Sequence, residues 1–138
     1  MSNNLNFTMD EFFYSDSANL MRYENFPTSM TDMKDVCDNL MRLTILVLQP
    51  LRDYVGKPVE VLSGFRCPKV NDYVGGVKTS QHLTGNAVDI RVAKLTPQYL
   101  SSVIKKLNLP YDQMIEENGW LHISLKREGN RKQFLERI

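Results

Sequence analysis

Gln113-Met114-Ile115-Glu116-Glu117-Asn118-Gly119-Trp120-Leu121-His122-Ile123-Ser124-Leu125 reads as a β-hairpin. Asn118-Gly119 is the pair best suited to a two-residue turn, because turns that match strand twist need positive φ at their centre. Strand-like runs flank it, Gln113 to Glu117 on one side and Trp120 to Leu125 on the other. A two-residue turn pairs Glu117 with Trp120 and Ile115 with His122. Glu117, Trp120 and His122 then share one face, while Glu116 faces the other way.

Upstream, Ala87 to Val92 is a second strand-like run. Val88 and Ile90 alternate with Asp89 and should face the core, so Asp89 points to the opposite side beside Ala87 and Arg91. That side suits either a metal pocket, where alanine leaves room next to a carboxylate, or a solvated Asp–Arg surface. Val59-Glu60-Val61-Leu62-Ser63, bounded by Gly56 and Gly64, predicts another strand. Between Phe65 and Gly85, the turn-formers Pro68, Gly75, Gly76 and Gly85 predict a long irregular loop, and loops of that length usually carry function. Thr96 before Pro97 is an N-cap with proline at the first helical position, opening a helix to about Leu107. Gly129-Asn130 marks a further turn, with a last strand through Phe134.

Thr8 and Glu11 form a capping-box pattern that predicts a short helix from Met9 to Tyr14, followed by a polar stretch through Asn19; together they suggest a lid or clasp. Thr31 opens the main core helix, in which Met33, Val36, Cys37, Leu40, Met41, Thr44, Val47 and Leu48 recur at spacings of three and four. Pro50 should end or kink it, and Gly56 should stop any further turn through Leu51, Tyr54 and Val55. Helices first and strands afterwards predict an α+β fold, a small mostly antiparallel sheet packed against helices, in one domain over residues 1–138.

At 42% hydrophobic, 138 residues can bury a core without covalent staples. A net charge of +1 excludes the strong field that would recruit nucleic acid or an anionic membrane, and no apolar run approaches the ~18 residues of a membrane span. Met1 to Asn6 has neither a basic n-region nor an apolar h-region, so the expectation is a chain made in the cytoplasm. Cys37 and Cys67 lack Cys-x-x-Cys spacing and are expected to be buried free thiols.

His82 and His122 are the chain's two histidines. Either alone would more often be a hydrogen-bonded structural residue; read together with Asp89 they become two imidazoles and one carboxylate. That is the ligand set of a catalytic zinc site with an open position, whereas structural zinc sites are usually closed by cysteines. A carboxylate outside the shell would serve as the base, and Glu117 lies on the right face for it.

These residues resemble the zinc D-alanyl-D-alanine carboxypeptidases and the related phage L-alanyl-D-glutamate endolysins, which share a hedgehog-like fold. The resemblance rests on Ser63-Gly64-Phe65-Arg66, on Gly75-Gly76 through Ser80-x-His82, on Gly85-x-Ala87-x-Asp89 and on Trp120-x-His122, and the N-terminal helices through Pro50-Leu51-Arg52 resemble the shorter phage-type members as well. It implies one zinc ion bound by His82, Asp89 and His122, with Arg66 helping to polarise the scissile carbonyl. It also implies a peptidoglycan stem peptide as substrate, cut by an endopeptidase in lysis or by a carboxypeptidase trimming D-alanine. Several family members place the catalytic glutamate three residues before the last histidine, where this chain has Gly119. In the phage-type subgroup it precedes the hairpin turn, in agreement with Glu117. Arg66 has a plainer reading as the partner of a surface carboxylate. Ser80 could bind substrate or cap the loop, and Trp120 could stack on substrate or fill a core edge. The expected protein is a monomer that reaches the wall after release by another factor. Its rival is an inactive zinc-containing module that grips cell wall, alone or in a virion.

Overall fold

The computed structural model describes residues 5–137 and is an α+β fold built on a five-stranded sheet. The strands are β1 (Glu60–Ser63), β2 (Ala87–Arg91), β3 (Gln113–Glu117), β4 (Leu121–Ser124) and β5 (Gln133–Arg137), in the order β1-β2-β4-β3-β5. All neighbours are antiparallel except β3 and β5, which run parallel. The expected last strand therefore exists, but it extends to Arg137 and returns alongside β3. The hairpin has the predicted register: Ile115 faces His122, Glu117 N–H donates to Trp120 O at 3.0 Å, and Gly119 takes φ +103°.

Alternation gives the sheet two unlike faces. Val88, Ile90, Met114, Leu121 and Ile123 point into the core with the helices. Glu116 is on that side too, buried and hydrogen-bonded by the Ser101 hydroxyl. The opposite face carries Asp89, Ile115, Glu117, His122 and Trp120, which line a cleft.

Helices α1 (Met9–Phe13), α2 (Asp16–Met21), α3 (Met30–Leu43), α4 (Gln49–Val55), α5 (Pro68–Tyr73) and α6 (Pro97–Lys106) complete the fold. Pro50 does not break the main helix. A π-helical turn over Thr44–Leu48 joins α3 to α4, with Gln49 N–H reaching Thr44 O five residues back. The wider turn lets the chain continue through a residue whose ring would clash with an α-helical carbonyl four positions earlier. Leu40, Leu43, Val47, Leu48 and Leu51 are fully buried along this helix, each contributing roughly 1.5–3 kcal/mol relative to exposure. Gly56 ends it at φ +67°.

Two predicted irregular stretches are partly helical. The polar stretch through Asn19 overlaps α2, capped by Ser15, whose Oγ accepts from Ala18 N–H at 3.0 Å. The long loop contains α5, opened by Pro68 at its first position, and a 3-10 turn over Gln81–Thr84. Asn25, buried, donates to Phe13 O and Phe65 O and accepts from Cys67 N–H, gripping the backbone on both sides of Arg66. Both cysteines are free, Cys67 buried and Cys37 half-buried.

Candidate metal centre

The strands bring Asp89 and His122 side by side, because β2 pairs with β4 in a register that sets one opposite the other. His82 arrives from the 3-10 turn, whose first N–H groups need an acceptor; Ser80 Oγ supplies one to His82 N–H at 3.2 Å. Ser80 is thus a cap, and it also lines the cleft. The two imidazole rings stand edge to face with centroids 5.2 Å apart.

The tautomer of His82 is set by its partner. Nδ1 lies 2.7 Å from Gly64 O, and a carbonyl can only accept, so Nδ1 carries the proton and Nε2 presents a lone pair. That nitrogen is fully buried and has no hydrogen-bond partner among the described residues; Asp89 Oδ1 is 3.4 Å away but out of hydrogen-bond geometry. His122 Nδ1 is 2.9 Å from the same Oδ1. A lone pair buried against a carboxylate is costly unless a cation lies between them. Tetrahedral zinc with ligands at about 2.0–2.1 Å sets neighbouring ligand atoms ~3.4 Å apart, so the donor set fits such an ion. Among the described residues, His82, Asp89 and His122 form a group able to hold a metal, their ligand atoms all within 4.8 Å of one another. Burial by itself raises the Asp89 carboxyl, but the hydrogen bond with His122 works against it, and the group is held well below the usual carboxylate range.

Arg66 sits against the same carboxylate. Its Nη2 reaches Asp89 Oδ2 at 3.3 Å, Nη1 reaches Asn71 Oδ1 at 3.2 Å and Nε reaches Ser63 Oγ at 3.1 Å. The pair is buried rather than superficial, with the Arg66 side chain 16% exposed. Gly76 packs on this cluster so closely that a Cβ there would collide with Asn71 Oδ1. Glycine is needed at that position for close approach. Sequence reasoning passed over Asn71 and Ser63; Ser63 lay within a quoted motif, and nothing local marks Asn71.

The cleft holding these groups has a volume of ≈ 660 Å³. Glu117 and Trp120 line it together with His82, Asp89 and His122, and Glu117 Oε1 lies 3.9 Å from Arg137 Nη1. Glu116 is on the far side of the sheet, bonded to Ser101, and cannot reach the cleft. The far flank is basic, with Lys126, Arg131 and Arg137 lining it. Arg137 comes to the cleft on β5, whose parallel return beside β3 sets it next to Glu117.

A cleft floored by two histidines and an aspartate able to hold a metal, with an arginine and a glutamate on its walls, has the donor chemistry that a metallohydrolase site requires. The comparison with known families agrees: the model described as Peptidase M15 matches residues 19–124, and the chain belongs to that family of zinc-dependent peptidases. No curated protein matches it. No helix among the described residues is long and apolar enough to cross a membrane.

Proposed function

We propose that this chain hydrolyses peptide bonds in peptidoglycan stem peptides, as a single-domain, monomeric enzyme holding one zinc ion on His82 Nε2, Asp89 and His122. The observation that carries the reading is the buried lone pair of His82 Nε2, aimed at Asp89 beside His122. The order of the motifs from Ser63-Gly64-Phe65-Arg66 to Trp120-x-His122 supports cell-wall peptide as the substrate class.

Zinc bound there supplies Lewis acidity, polarising a carbonyl and bringing the pKa of water to about 7. Glu117 takes the proton from the attacking water and passes it to the leaving amine. Arg66 spends three of its five N–H donors on Ser63, Asn71 and Asp89, leaving two for the carbonyl oxygen as it gains charge. Ser63 and Asn71 fix the plane of that guanidinium. The hydroxyl proton of Ser80 is available to a substrate carbonyl, and the half-buried Trp120 ring offers a stacking face.

The test is mass spectrometry of purified peptidoglycan fragments incubated with zinc-loaded protein. New amino and carboxyl termini are expected, and the fragment masses name the bond. Binding to intact sacculi with no new termini from several wall types would replace this reading with a non-catalytic wall-binding module.

A further inference from the structure

Lys126 and Arg131 share one carboxylate. Asp112, fully buried, accepts from Arg131 N–H and Nε at Oδ1 and from Arg131 Nη2 and Gln81 Nε2 at Oδ2. Both oxygens are thereby filled. Lys126 Nζ stands 3.7 Å from Oδ1, beyond hydrogen-bond reach, on a side chain 43% exposed at the cleft wall. Two cations facing one anion leave net positive charge on this flank, and the ammonium keeps its donors for something else.

Resting on the peptidase reading above, we propose that Lys126, with the outer edge of the Arg131 guanidinium, is a subsite for a carboxylate carried by the peptide substrate, so that the enzyme selects acidic peptides. Lys126 lies four residues beyond His122 along the line of β4, about 13 Å at the rise of a strand. An extended peptide covers that span in three to four residues. The carboxylate it recognises is therefore on a residue near the scissile bond but separate from it. Arg131 is held rigidly by its three bonds to Asp112, so its outward edge is preorganised, while Lys126 adapts. Because the ammonium is exposed, the preference is about three- to tenfold and weakens with added salt.

The test uses matched synthetic pentapeptides carrying glutamate or glutamine at each position in turn. Binding is measured by calorimetry to zinc-loaded Glu117→Ala protein, and cleavage separately with the unaltered enzyme. One position should favour glutamate by about three- to tenfold in binding, and Lys126→Glu should abolish or reverse that ratio. Equal binding of every pair, no measurable binding of any peptide, or a preference that survives Lys126→Glu would overturn the subsite. Cleavage of both members of each pair with no discrimination leaves the peptidase standing and the subsite refuted. Charge-selective binding without cleavage of any peptide supports the subsite and sinks the peptidase reading.

Discussion

Asp89 and Asp112 are both buried acids at the same cleft, yet they are buried in different company. Asp112 is closed: protein donors fill both its oxygens, and the group joins the turn at Gln81 to the segment entering β5. Asp89 is open. Its Oδ1 faces two imidazoles, one of which points a bare nitrogen at it, and its Oδ2 meets an arginine that has donors to spare. Full satisfaction by the protein makes a structural knot, because nothing remains for a ligand to do. An unsatisfied lone pair buried beside a carboxylate is a different case, because a cation placed between the two would remove its cost.

The largest effect should come from attacking the open cluster. His82→Ala removes a ligand and is expected to lose stoichiometric zinc, checked by elemental analysis. Peptidase activity should fall by far more than the 10–100-fold typical of losing a group that only orients a ligand. Chelation of the unaltered protein should reproduce the loss, and added zinc should reverse it only where His82 is present. Retained zinc and turnover in His82→Ala would erase the distinction between the two aspartates. Glu117→Ala should come next, keeping zinc while kcat drops by about 10²–10⁴-fold, the usual contribution of a general base. Full turnover in that variant would remove Glu117 from the reaction and leave the metal set intact.

The open cluster was legible in the chain for a local reason. Asn118-Gly119 dictates a two-residue turn, the turn dictates register, and register alone places Glu117 and His122 on one face and Glu116 on the other. The alternation of Val88, Asp89 and Ile90 does the same for Asp89, which it turns away from the core. The closed cluster had no such signature. Asp112 meets Gln81 and Arg131 across 31 and 19 residues, and Arg131 reaches it only because β5 turns back parallel to β3. Long-range pairing leaves no periodic trace. The π-helical turn before Pro50 escaped for a different reason: proline announces a lost hydrogen bond but not whether the chain stops or widens to pass it. Helix α5 was foreshadowed by Pro68 at its first position and α2 by Ser15, but the neighbouring glycines and polar residues outweighed both signals.

If the knot is structural, damage to it should appear in stability and not in metal content. Arg131→Ala leaves Asp112 buried with Gln81 and a backbone N–H as its remaining hydrogen-bond donors. The side chain removed is itself half exposed, but the carboxylate it leaves has lost two of its four donors; a lower denaturation midpoint with unchanged slope is expected. Zinc stoichiometry should match the unaltered protein. A loss of zinc would mean that the two clusters are one unit.

The smallest effect is also the most specific to the knot. Hydrogen bonds from Arg131 outweigh the opposing effect of burial and lower the Asp112 carboxyl to about 2. A carboxyl with a folded-state pKa below its unfolded value of ~3.9 stabilises the fold above that value and ceases to do so as pH falls through the folded one. The stability difference between the unaltered protein and Asp112→Asn should therefore be complete above about pH 4 and shrink toward pH 2. Any effect of acid on the metal centre is common to both proteins and cancels in the difference. A difference that stays constant from pH 5 to pH 2, measured by denaturant titration, would show that Asp112 contributes through shape and neutral hydrogen bonds, and the contrast with Asp89 would then lie in geometry alone.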